Sequence, residues 1–130
     1  MSALATVSAF QKDVEPHSYE AGEVIFQAGD VGDVMYGVIE GEVELWVNGA
    51  VAEVIAAGDV FGEGALVQPS HVRASKAIAK TPCQLASLDQ DRFLFAIQNT
   101  PMFAVELMRS FSTRLRRMKQ KMAPPEGKAA

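Results

Sequence analysis

One cysteine, two histidines and one tryptophan stand among 130 residues, and this scarcity limits the chemistry open to the chain. Cys83 has no partner, so no internal disulfide staples the fold, and a reducing cytoplasm is a compatible setting. With only His17 and His71, the chain lacks the cluster of imidazoles and acids that a small metal-dependent β-barrel enzyme needs, and no metal, cofactor or catalytic residue is expected. No stretch approaches the roughly 18 apolar residues of a membrane span, and residues 1–10 are too short and weakly apolar for a secretory signal. A soluble, cytoplasmic protein is expected. Positive charge is also in short supply. The net charge of -4 and pI near 5.1 argue against nonspecific nucleic-acid binding by the chain as a whole. The length suits one domain with a real core and excludes a second folded one.

What is present is β-branched and aromatic residue runs punctuated by glycine. Glu23 to Phe26, Val34 to Ile39, Val43 to Val47 and Val51 to Ile55 read as strands, and Asn48-Gly49 is a two-residue hairpin signal between the last two. Ser75 to Lys80 and Cys83 to Leu88 continue the pattern on either side of Thr81-Pro82. The spacing predicts an antiparallel sandwich or roll rather than alternating strands and helices. Helices flank it. Alanine-rich Met1 to Asp13 predicts an N-terminal helix limited by Pro16, Asp89 predicts the N-cap of a helix over Gln90 to Gln98, and Thr100-Pro101 predicts the start of another. In that last helix Met108, Phe111, Leu115, Met118 and Met122 recur at spacings of 3 and 4, giving one apolar stripe. Arg109, Arg114, Arg116, Arg117, Lys119 and Lys121 occupy its other faces. Residues 1–122 form the expected domain, and residues 123–130, with Pro124-Pro125 and Gly127, the expected flexible tail.

The chemistry concentrates between Asp59 and Ala77. Gly62 and Gly64 bracket the acid Glu63, Ala65-Leu66-Val67 follow as the start of a short helix, and Arg73 comes ten residues after the acid. Such a turn points several backbone N–H groups into one space that suits an anion. A guanidinium offers a planar fork of donors to phosphate oxygens and keeps its charge. An ionised carboxylate repels phosphate but accepts readily from a sugar hydroxyl. Together these residues ask for one phosphate beside a ribose with a free 2′-hydroxyl.

The string F-G-E-x-A-L from Phe61 to Leu66, with Arg73 and the small residues Ala74 and Ser75, resembles the phosphate-binding cassette of the cyclic-nucleotide-binding domain family. That family includes the catabolite activator protein and the regulatory subunit of cyclic-AMP-dependent protein kinase. Ala21 to Leu45, Ala57 to Glu63 and Leu88 to Phe93 extend the likeness over roughly Val14 to Met118. The resemblance implies a mainly β fold, an antiparallel, jelly-roll-like β-roll with an N-terminal helix, a short cassette helix and two C-terminal helices. It implies a non-enzymatic sensor in which Phe61, Gly62, Glu63, Gly64, Ala65, Arg73, Ala74 and Ser75 form the ligand site. Ala74, where some relatives have a hydroxyl that helps bind guanine, leans toward cyclic AMP, with cyclic GMP second. Arg117, Lys121 and Met122 are candidates to cover the base by their position alone. Gly64 departs from the pattern, since relatives commonly carry a branched apolar residue there.

Blander readings stand beside these. Arg73 is also explained as half of an ion pair with Glu63, and Glu63 as an acid favoured at a helix start. His71 is read as a solvated loop residue, and Cys83 as a small buried hydrophobe. The basic helix reads first as a solvated face, and its stripe as a seam for a second copy, an effector protein or a lid. After Met122 eight residues remain, too few for a helix-turn-helix, so no direct nucleic-acid contact is expected. The rival function is a nucleotide-free interaction module of the same fold.

Overall fold

The computed structural model describes residues 2–11 and 15–122. The expected flexible tail over 123–130 lies outside them. The elements run α1 (Ala3–Phe10), β1 (His17–Tyr19), β2 (Val24–Phe26), β3 (Val34–Glu40), β4 (Glu42–Val47), β5 (Ala50–Ala56), β6 (Val60–Phe61), α2 (Gly64–Val67), β7 (Lys76–Ala79), β8 (Cys83–Asp89), α3 (Gln90–Asn99) and α4 (Met102–Met122). The strands form two four-stranded antiparallel sheets, ordered β1-β8-β3-β6 and β2-β7-β4-β5. This is the expected β-roll with its flanking helices.

Period-two alternation divides the apolar residues between two cores. Val38, Val43, Leu45, Ile55, Phe61, Ala77 and Leu85 fill the space between the sheets. Met35, Ala86 and Leu88, on the opposite face of β3 and β8, pack under Val7, Phe93, Ala96, Phe103 and Leu107 of the helices. The middle strands β3 and β8 are thus buried on both faces, which fixes their register strongly. Asn48 and Gly49 both take positive φ, 52° and 78°, the backbone that a tight hairpin with native twist requires.

Two expectations need correction. The N-terminal helix is shorter than Met1 to Asp13. Ser2 caps it by accepting from the Ala5 N–H, and the chain is extended at Gln11, well before Pro16. Two short strands, His17–Tyr19 and Val60–Phe61, escaped the pattern because two or three residues carry no periodicity. The stripe on α4 is split, with Phe111 packed against the helix-covered core and Met118 half-buried beside β5. Met108, Leu115 and Met122 are exposed, while Phe103, Glu106, Leu107 and Arg114 turn inward, so the buried face carries two charged residues. Asp89, by contrast, caps α3 as expected by accepting from the Arg92 N–H at 2.9 Å.

Candidate functional site

A cavity of about 160 Å³ opens beside the cassette, lined by Phe26, Leu45, Glu53, Gly62, Glu63, Gly64, Ala65, Arg73, Ala74, Ser75 and Arg114. Seven of the eight residues singled out from the cassette therefore meet around one space. The eighth, Phe61, is fully buried behind it, stacked with Tyr36 in the inter-sheet core.

Arg73 is 5% exposed, yet no carboxylate pairs with it among the described residues. Its Nη1 donates to the Gly62 carbonyl at 2.6 Å and its Nη2 to the Val34 carbonyl at 2.7 Å. The guanidinium carbon lies 4.2 Å from the centre of the Phe26 ring, a cation–π contact. Two glycines make room for it. A Cβ on Gly32 would overlap the guanidinium, and Gly62, at φ +80°, accepts from Arg73 in a conformation that L side chains rarely adopt. Burial lowers the arginine's pKa from its ordinary value, with Tyr36, Asp33 and Glu63 pulling it back. Gly32 read from the sequence as a turn residue only; that it backs Arg73 depends on two segments forty residues apart meeting, and no local signal carries that.

Glu63 immediately precedes α2 in helical geometry and its side chain makes no capping hydrogen bond. Its Oε1 is buried without a hydrogen-bond partner. Burial raises its pKa above the ordinary 4.5, while Arg114 and the N–H groups of Glu63 and Gly64 draw it back down. The first helical bond runs from Leu66 N–H to the Glu63 carbonyl at 2.9 Å, so the N–H groups of Gly64 and Ala65 precede any helical acceptor. His71 holds this turn rather than facing solvent. At φ 58° it donates from Nδ1 to the Ala65 carbonyl at 2.8 Å. A Cβ at Gly64 would meet nothing within 4 Å, so the missing side chain leaves open space beside the cavity.

The opposite wall was not anticipated. Arg114 reaches in from α4, donating from Nε to Glu53 Oε1 at 2.9 Å, from Nη2 to Glu53 Oε2 at 3.5 Å and from Nη1 to the Val60 carbonyl at 2.7 Å. Burial works against its charge, but the bond and charge of Glu53, with Glu63 and Asp59, outweigh it and hold its pKa above the ordinary value. One turn earlier, Ser110 Oγ donates to Asp59 Oδ1, a second tie between α4 and the β5–β6 turn. Arg114 sat unnoticed among six basic residues of one helix; only the spacing Phe103, Leu107, Ser110, Arg114, at 4, 3 and 4, marks it as inward-facing. Arg117 and Lys121 come instead to a neighbouring cleft beside β5, with Ala52, Val54 and Met118, and Met122 is 84% exposed.

A family model described as the cyclic nucleotide-binding domain matches residues 16–100, from the first strand to the end of α3. The chain belongs to the cyclic nucleotide-binding domain family. Among its relatives, the cAMP-dependent protein kinase regulatory subunit of Schizosaccharomyces pombe is 37% identical over 71% of this chain and 21% of its own length. A CRP-like cAMP-activated global transcriptional regulator of Mycobacterium tuberculosis is 27% identical over 92% of this chain and 55% of its own length. The chain thus spans about half of that regulator and a fifth of the kinase subunit. Of solved structures, the Thermus thermophilus catabolite activator protein superposes with a TM-score of 0.74 at 25% identity, covering 92% of this chain and 57% of that one. A protein solved in work on a cyclic-GMP-dependent signalling pathway of bacterial phytopathogenesis gives 0.73 at 25% identity, covering 88% and 91%. No helix among the described residues is long and apolar enough to cross a membrane.

Proposed function

We propose that this cyclic nucleotide-binding domain is a non-enzymatic sensor that takes a cyclic purine mononucleotide into the cassette cavity and relays occupancy through α4. One observation carries the reading: among the described residues, a buried guanidinium with no acid at ion-pair distance and a buried carboxylate oxygen with no donor line the same cavity. Buried charges are normally paired. A cyclic phosphate supplies what Arg73 lacks and a ribose 2′-hydroxyl supplies what Glu63 lacks, while the N–H groups of Gly64 and Ala65 offer further donors to the phosphate. Ala74 presents no hydroxyl beside the phosphate, which favours cyclic AMP, with cyclic GMP second. The relay follows from Arg114, which ties α4 to the same cavity, because a ligand that competes for Glu53 or Glu63 changes what holds the helix in place. The exposed seam of Met108, Leu115 and Met122, at heptad spacing, then suits a second copy of the chain or an effector protein.

A thermal-shift series with cyclic AMP, cyclic GMP and cyclic di-GMP tests this, since a ligand bound only by the folded state raises the midpoint. A rise with a cyclic mononucleotide supports the sensor. No rise with any of the three favours the second reading, a nucleotide-free interaction module of the same fold. The observation on its side is the Glu53–Arg114 pair already occupying one wall of a cavity of only about 160 Å³. Mass in solution with and without ligand tests the pairing of α4.

A further inference from the structure

Glu106 is a buried carboxylate that the cassette does not use. It stands on the inward face of α4, 8% exposed, and its Oε2 has no hydrogen-bond partner. Among the described residues no cation lies within ion-pair distance of it, Arg109 on the next turn included. A carboxylate so enclosed is costly unless something donates to it. Glu106 lines a cavity of about 240 Å³ where α4 meets the β5–β6 turn and the start of α1, and this cavity shares no lining residue with the cassette cavity.

Unused groups of both kinds line it. The acceptors are Glu106 Oε2 and Asp59, whose Oδ1 takes the Ser110 hydroxyl and the Val60 N–H at 2.8 Å while Oδ2 has no donor among the described residues. The donors are exposed Arg109 and the Ala3 N–H, which precedes the first bonds of α1, from Ala5 N–H to Ser2 Oγ at 3.2 Å and from Thr6 N–H to the Ser2 carbonyl at 3.3 Å. No acid sits in the first turn of α1 to answer its dipole. A bare amine would leave these donors unmatched, and a bare anion would leave Glu106 as it is. Two acids are also too few for a metal cage, and among the described residues no group of three His, Cys, Asp or Glu stands together. We propose that this cavity binds a small α-amino acid, its ammonium held by Glu106 and Asp59 and its carboxylate by Arg109 and the start of α1. The volume is below the roughly 300 Å³ at which drug-sized pockets begin, and the hydroxyls of Ser110 and Thr113 suit a short polar side chain such as that of serine. Such a ligand fastens α4 to α1 and to the turn that Ser110 already holds. The site is independent of the cyclic-nucleotide reading.

The test is a nitrogen-15 NMR titration of the full chain with L-serine, and with ethylammonium and acetate as its two halves, on the wild type and on Glu106→Gln and Arg109→Gln. Serine should give saturable shifts at the amides of Ala3, Gly58 and Ser110, and each half should bind about tenfold more weakly or worse. Glu106→Gln keeps the shape, removes the charge and weakens serine by about tenfold. Arg109→Gln weakens it by about two- to fivefold, as suits a solvent-screened contact. Because Arg109 is exposed, its variant decides the matter even where Glu106→Gln fails to fold. Shifts that do not saturate, or that fall elsewhere on the chain, make this a solvent-filled cavity and overturn the proposal. Ethylammonium binding as tightly as serine overturns the amino-acid assignment, and an unchanged serine affinity in the folded variants overturns the roles of Glu106 and Arg109.

Discussion

Two arginines line one cavity, and their surroundings are opposite. Arg73, on the cassette, donates to the neutral carbonyls of Gly62 and Val34 and has no carboxylate at ion-pair distance among the described residues. Arg114, on α4, is neutralised by Glu53 with Glu63 and Asp59 nearby. A neutral partner satisfies a hydrogen bond without cancelling a field, so the cassette end remains attractive to an anion while the helix end does not. In the proposed site the difference separates binding from holding, with Arg73 assigned to the phosphate and Arg114 fastening a helix to the pocket.

Removing Arg73 breaks that comparison most severely. In the proposed site Arg73→Ala lowers affinity for the preferred cyclic nucleotide by about 2–5 kcal/mol, because the phosphate is then buried without its counter-charge. Titration calorimetry measures it, and an unchanged dissociation constant rejects the role. The change also takes the donors from the Gly62 and Val34 carbonyls, so circular dichroism of the variant accompanies the titration. Arg114→Ala acts the other way. It leaves Glu53 and Glu63 without their cation and costs about 1–3 kcal/mol of folding stability in urea, with α4 freed from β5.

Gly32→Ala sharpens the contrast without deleting a charge. The added methyl must push the guanidinium away from its seat, and overpacking of this kind costs about 1–3 kcal/mol. Affinity should fall by tenfold or more while the Arg114–Glu53 pair is untouched. A variant that binds as the wild type does contradicts the idea that this glycine sets the position of Arg73.

The smallest effect is a pH dependence. Glu63 has a raised pKa in the ligand-free fold, so its contribution to stability is complete below the unfolded value near 4.5 and is lost as pH rises through the raised folded value. A ribose hydroxyl donates to the ionised form, so affinity should rise over the same window. The gap between thermal midpoints with and without ligand therefore widens as pH increases from about 4.5. Glu63→Gln should flatten it, and a gap that narrows instead contradicts the assigned contact.

Much of this was legible in the residues alone. The glycine-punctuated strands, the Asn48-Gly49 hairpin and the Asp89 cap are local features, decided within a few residues, and they stand where they were expected. The cassette wall was legible for the same reason, since Gly62, Glu63 and Gly64 are contiguous and Arg73 is close in the chain. The far wall was not. Glu53 and Arg114 reach the cavity through strand pairing and the docking of a distant helix, Gly32 comes to back Arg73 from another segment, and each looks ordinary in its own neighbourhood. The spacing of the stripe on α4 marked an apolar face, but not that Phe111 would pack inward while Met108, Leu115 and Met122 stay exposed.

The most direct test is a structure of the chain solved with a cyclic nucleotide bound. The account predicts phosphate oxygens within hydrogen-bond distance of Arg73, the 2′-hydroxyl on Glu63, and Arg114 displaced from Glu53. A nucleotide seated elsewhere, or one whose phosphate leaves Arg73 on its two carbonyls alone, would contradict it.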